Sequence, residues 1–144
     1  MRALLDVNVL IALLDPDHAF HGRAHGWWET HATAGWASCP LTENGVVRIM
    51  SHPHYSRKLR LTPDELTGVL ARFASGTDHE FWPDHVSLRD EAVFDRSRLN
   101  SSRLVTDIYL LALAVSRGGR LTTFDQGIPA SAVRSASANH LVVL

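Results

Sequence analysis

The 144 residues include only one cysteine, Cys39, and only one lysine, Lys58. A single thiol excludes an internal disulfide and the usual multi-cysteine zinc centre, and it fits a reducing compartment. Cys39 therefore reads as a small buried hydrophobe. No apolar run approaches the roughly 18 residues of a membrane span. Asp6 and Asn8 interrupt the apolar opening, and no signal-peptide layout follows, so a cytoplasmic protein without a membrane partner is expected. Excess charge of either sign is missing too. With a formal net charge of −1 the molecule does not attract nucleic acid as a strongly basic domain does, so any anionic ligand must be held locally. There is no Gly-x-Ser-x-Gly turn, and Cys39 lacks the surroundings of a known nucleophile. Serine- and cysteine-type hydrolysis are set aside.

What remains is ordinary globular material, 45% hydrophobic and 20% charged, of a length that fits a single domain over residues 1–144. Ala3 to Leu5 reads as a strand, after which Asn8 offers a cap for the helix "VLIALL". Asp15-Pro16-Asp17 breaks that helix and starts another, with Phe20, Ala24 and Trp27 or Trp28 at helical spacing. "GWASCP" is a second strand. Thr42 is placed to cap a helix bearing Glu43, Val46, Val47 and Met50 at i, i+3, i+4 and i+7. Thr62-Pro63 opens an amphipathic helix with Leu66, Val69, Leu70 and Phe73 on one side. A third strand in "HEFWPDHVSL", a further helix over Glu91 to Leu99, a helix from Thr106 to the stop at Gly118, and strands in "RLTTF" and "HLVVL" complete the pass. Strands alternating with helices predict an α/β fold with a mainly parallel sheet covered on both faces.

The acids fall into a pattern on that scaffold. Asp6 and Asp125 end strands, whereas Glu43 and Asp107 open helices. In a parallel sheet with crossover helices, strand C-termini and helix N-termini share one edge, so four carboxylates distant in sequence can converge. Each alone is explained by the preference of acids for a helix's first turn or a turn after a strand. Together they repel one another, and the only lysine lies far off, in a loop. Hard divalent ions with oxygen ligands, Mg²⁺ or Mn²⁺, are the natural counter-charge, and ions so held cut phosphodiesters. Asn8 and Thr123 stand beside the strand ends to orient ligands or water, with capping and strand roles as their plain alternatives.

Asp6-Val7-Asn8-Val9-Leu10, Glu43 after "PLT", "VTDIYLLALAVSRGGRL" around Asp107 and "TTFD" ending on Asp125 resemble the PIN-domain ribonucleases, in particular the VapC toxins of bacterial toxin–antitoxin pairs. The resemblance spans almost the whole chain and is most specific over residues 105 to 125. It implies a three-layer α/β/α PIN-like domain with endoribonuclease activity dependent on Mg²⁺ or Mn²⁺. It also implies a homodimer inhibited by a small cognate VapB-type antitoxin. Asp6, Glu43, Asp107 and Asp125 match the acidic quartet, the last acting directly or through water, and Thr123 matches a Ser/Thr two residues before the final acid. Val7 stands where many members have threonine, which removes one hydroxyl beside the metal.

A phosphodiester-cutting site needs its phosphate positioned first, so the resemblance turns the basic clusters into candidates for RNA binding. Arg48, Arg57 and Lys58 come from the first cluster, and Arg103, just before the helix of Asp107, comes from the second. Tyr55 is the aromatic placed to stack a splayed base, or else to pack its own loop. His18, His21 and His25 share a helix face, but no carboxylate completes a metal set there. Trp27 and Trp28 read as core or dimer-interface aromatics. Two other functions stay open: a catalytically silent metal- or protein-binding module, and an aspartate-based phosphotransfer domain using Asp6 as nucleophile. The second lacks an acid at position 8, where Asn8 stands.

Overall fold

The computed structural model describes residues 1–144. Five short strands, β1 (Ala3–Leu5), β2 (Trp36–Ser38), β3 (His79–Phe81), β4 (Arg120–Thr123) and β5 (Leu141–Val143), form one sheet in the order β3-β2-β1-β4-β5. Every pairing is parallel. Five helices connect and cover them: α1 (Val7–Leu14), α2 (His21–His31), α3 (Pro40–Met50), α4 (Pro63–Ser75) and α5 (Val105–Ser116). None is long and apolar enough to cross a membrane.

The sheet separates two cores because side chains alternate along each strand. Ala3, Leu5 and Trp36 point into one core with Val9 and Leu10 of α1, Val46 and Met50 of α3, and Leu66 and Leu70 of α4. Leu4, Ala37 and Leu121 point the other way, into α5 and the segment carrying Ile128, Ala132 and Val133. The result is a three-layer α/β/α arrangement. Ile108 to Ala114 are all buried, since α5 packs in one cluster with Leu4, Ala37 and Leu121 of the sheet and with Trp82, Phe94 and Val133. That enclosure explains a helix apolar around most of its circumference.

The strand order carries the functional consequence. From β1 the chain moves outward through β2 to β3, then returns to the opposite side of β1 for β4 and β5. A reversal of this kind leaves a crevice at the carboxyl ends of the two central strands, here β1 and β4. Asp6 directly follows β1, and its amide donates to the Thr122 carbonyl at 3.0 Å, extending the pairing by one residue.

Several helix starts differ from the sequence expectation. Asp6, not Asn8, caps α1, accepting from the Val7 amide. Helix α3 begins at Pro40, whose missing amide suits the first helical position, and Thr42 sits inside the first turn, accepting from the Cys39 amide at 2.9 Å. Helix α5 follows a single 3₁₀ turn (Ser102–Leu104), so Leu104 takes the cap position and Thr106 is the second residue of the helix. Residues 91–99 are not a helix. They form turns with one 3₁₀ turn at Arg96–Arg98, and Phe94 leaves the pattern to bridge Val133. Thr62 does cap α4, paired reciprocally with Glu65, and Gly118 takes φ 66° just past the end of α5.

Gly45 sets the spacing between α1 and α3. A Cβ there would lie 2.6 Å from Val7 Cγ2, with Val7 Cβ at 3.5 Å. Alanine in place of a helical glycine ordinarily stabilises by about 1 kcal/mol. Here overpacking of about 1–3 kcal/mol outweighs that gain, so Gly45→Ala is expected to lower the urea midpoint. In a Val7→Ala background the clash is gone, and Gly45→Ala is expected to raise the midpoint instead. A double-mutant cycle by urea unfolding reads that change of sign.

Candidate active site

Asp6 is only 5% exposed, and both of its oxygens are engaged. Oδ1 accepts from the Val7 amide at 2.7 Å, and Oδ2 accepts from the buried hydroxyl of Thr123 at 2.7 Å. The same Thr123 oxygen accepts the Asp125 amide at 3.0 Å, so one side chain positions two acids. Asn8 donates from Nδ2 to Asp125 Oδ2 at 3.4 Å, while its Oδ1 is buried with no partner. Asp107 enters from the first turn of α5, where the helix dipole favours a negative charge.

Carboxylate oxygens of Asp6, Asp107 and Asp125 lie within 4.8 Å of one another. The protein's ion pairs lie elsewhere: Arg2 with Asp78 and Glu80, His25 with Glu29, and Arg96 with Glu91. Burial, then the charges of Asp6 and Asp125, push the Asp107 carboxyl up to about 6, against a downward pull from Arg103. Burial likewise raises Asp6, opposed by its bonds from Thr123 and Val7. Such a cluster is costly until a cation neutralises it.

The donor set suits a hard divalent ion. All the donors are oxygens lying within 4.8 Å of one another, the ligand chemistry that Mg²⁺ and Mn²⁺ prefer. The unpartnered Asn8 oxygen beside them is a further acceptor awaiting a donor. Asp6, Asp107 and Asp125 are the residues able to hold the ion.

The cluster lies in a cleft of about 470 Å³ bordered by α1, α3 and α5. Val7, Asn44, Gly45, Arg48 and Thr106 line it, so one of the four basic residues proposed from sequence reaches the site itself. Arg103 is exposed but near enough to Asp107 to affect its charge. Arg57 and Lys58 are exposed on the loop between α3 and α4, outside the cleft lining. Tyr55 is half-buried against the core and its hydroxyl donates to buried Asp15 at 2.6 Å, which matches the loop-packing alternative.

Glu43 stands apart from the three aspartates. Its Oε1 accepts from the buried Ser38 hydroxyl at 2.6 Å, and Ser38 also meets His79 Nε2 at 2.8 Å. Burial lowers the His79 pKa, with Glu43 acting in the opposite direction. This arrangement was invisible in the sequence because it depends on the β2–β3 pairing, which no local pattern specifies. Asn44 and Thr106 were missed as cleft residues for a simpler reason, since each is only a polar neighbour of a more conspicuous acid.

A family model described as PIN domain matches residues 3–133, and the chain belongs to that family. Its more particular kinship is with the VapC members. The chain is 51% identical to Ribonuclease VapC44 of Mycobacterium tuberculosis and 44% identical to Ribonuclease VapC39 of the same organism, over 144 residues that cover the whole of this chain and of each relative. Among solved structures, VapBC2 from Rickettsia felis, bound to a DNA fragment from its promoter, superimposes with a TM-score of 0.57 at 13% identity. The match covers 100% of this chain and 98% of that one, and it shows a shared fold.

The Asp107 value carries a stability consequence for the metal-free protein. An acid whose folded pKa is about 6 takes up its proton more readily in the fold than in the unfolded chain, where it titrates near ~3.9. Stability without metal is therefore expected to rise as pH falls through about 6, with the gain complete below about 4. Asp107→Asn should remove this component of the slope and stabilise the chelated protein near pH 7 by about 1 kcal/mol, a figure reduced for the part-exposed position. Melting curves in chelator between about pH 4 and pH 8 measure both effects.

Proposed function

We propose that this protein is a Mg²⁺- or Mn²⁺-dependent endoribonuclease, the toxin of a toxin–antitoxin pair, acting at the Asp6, Asp107 and Asp125 cluster. The observation that carries the reading is the approach of three carboxylates within 4.8 Å in an open cleft that also presents Arg48. The names of the VapC relatives support RNA as substrate, and the VapBC fold neighbour supports a small protein antitoxin as partner. A homodimer belongs to the same reading.

The residues divide the work. Arg48 faces the phosphate from α3, with Arg103 near the entrance of α5 and Arg57 and Lys58 farther along the backbone. Thr123 fixes the Asp6 carboxylate and the Asp125 backbone in one geometry, so little reorganisation accompanies ion or substrate binding. Asn8 orients Asp125 and leaves a free acceptor for a bound water. A divalent ion held here supplies neutralisation of the phosphodiester charge and acidification of the attacking water. Hydrolysis then adds water at phosphorus and breaks one ester P–O bond, and the departing oxygen takes up a proton. Glu43 is assigned an outer position, with its Oε1 held by Ser38 and its carboxylate outside the three-aspartate group. A covalent phosphoaspartate route fits less well, since both oxygens of Asp6 already accept hydrogen bonds.

Cleavage of a mixed RNA pool with Mg²⁺ or Mn²⁺ is expected to stop in chelator. It should fall by more than about a thousandfold in Asp6→Asn or Asp107→Asn, consistent with loss of several kcal/mol of charge stabilisation. Intact RNA under every metal condition, from protein that still binds the ion, would favour a silent binding module. Thr123→Val is expected to lower activity or metal affinity about 10- to 100-fold, whereas Thr123→Ser keeps most of both. Metal titration by calorimetry, beside the cleavage assay, separates a loss of ion binding from a loss of turnover.

A further inference from the structure

Phe20 belongs to neither hydrophobic core, and the residue is 42% exposed. The sequence pattern placed it on the buried side of a helix with Ala24, but it sits at the cap position of α2 and turns toward the active-site end of the sheet. Its ring lies against Phe124, with centroids 5.0 Å apart and planes tilted by 41°. Phe124 is half-buried against the core of α1, α3 and α4, and it lies in the chain between Thr123 and Asp125. The Arg23 guanidinium stands 5.2 Å from the Phe20 centroid and 5.6 Å from that of Phe124, and it donates to the Leu144 carbonyl. The Phe20 amide is tied to His18 Nδ1 at 3.0 Å. The Arg23 guanidinium thus lies over both rings, His18 flanks Phe20 with centroids 5.9 Å apart, and Phe20 keeps an exposed part of its surface beside Phe124, the residue that precedes Asp125 in the chain.

We propose that Phe20, backed by Phe124 and Arg23, is a stacking platform for an unpaired base of the RNA, one that places the adjoining phosphodiester at the Asp6, Asp107 and Asp125 cluster. The inference rests on the ribonuclease reading above and adds a base-contacting subsite to it. Single-stranded RNA is recognised mainly by stacking on aromatic and guanidinium planes, and this platform offers both. A protein partner is the weaker occupant. A stable interface needs about 800 Å² per side, whereas the exposed aromatic surface here amounts to part of one ring. The cation beside the rings also suits an anionic strand.

The test measures binding of a short unstructured RNA carrying 2-aminopurine, in chelator so that nothing is cut, by anisotropy and by quenching of the base. Phe20→Ala is expected to weaken binding about tenfold and to relieve the quench. Phe20→Leu, which keeps apolar area but has no π-face, should behave like alanine, and Phe20→Trp should retain both signals. In metal-dependent cleavage the alanine variant should lose activity mainly through KM. Wild-type protein that cuts in an Asp6-dependent manner but is matched in binding and quench by Phe20→Ala would overturn the platform alone. Wild-type protein that neither binds nor cuts would overturn the ribonuclease reading with it. If light scattering shows that Phe20→Ala changes only the state of association, the patch is a protein contact and the proposal falls.

Discussion

The hydrogen bond from Thr123 to Asp6 is the constraint on which the site depends. It joins the carboxyl ends of β1 and β4 at the point where the strand order reverses, and it does so with a buried donor and a nearly buried acid. A buried carboxylate needs donors, and Asp6 has two, one from its own helix and one from the neighbouring strand. Because the same threonine oxygen also receives the Asp125 amide, the two strand-end acids cannot move independently. Asp107 then completes the group from α5, a helix held rigidly by burial on both sides. Three separate elements thus deliver charge to one place.

Concentrated negative charge lowers the stability of the empty fold and raises its affinity for a cation. These are two descriptions of one free energy, since whatever repulsion the metal relieves is added to its binding. The Asp107 pKa is raised first by burial and then by the charges of Asp6 and Asp125, so repulsion is one part of the cost in the metal-free state. Proton and metal therefore compete for the same oxygens. Sites of this kind are commonly destabilising to the scaffolds that carry them, and here the two extensive cores on either side of the sheet offset the cost.

Much of this was legible in the sequence, and the exceptions share a cause. Apolar periodicity located all five strands and all five helices, because that signal is local, whereas of the expected N-terminal caps only Thr62 holds its place. Three of the four acids could be brought together from topology alone, since strand ends and helix starts meet at one edge of a parallel sheet. What escaped was decided by contacts across the chain. Glu43 was drawn away by Ser38, whose environment depends on β3, and Tyr55 was drawn away by Asp15. The segment from 91 to 99 was expected to be a helix, yet Phe94 packs into the core and bridges Val133. Phe20 was misplaced for the opposite reason: a large hydrophobe counted toward the core, although it remains at the surface.

The Thr123–Asp6 bond links residues 117 positions apart, and Asp107 and Asp125 also lie in the last third of the sequence. A chain emerging from the ribosome therefore carries Asp6 for most of its synthesis without the partners that would make it chemically competent. The cluster closes only when β4 slots in beside β1, and β5 then flanks β4, the Leu144 amide donating to the Thr123 carbonyl. Order of synthesis thus sets order of assembly: Asp6 is made early, and the carboxylate group it belongs to is complete only after Asp107 and Asp125 have followed and β4 has paired with β1.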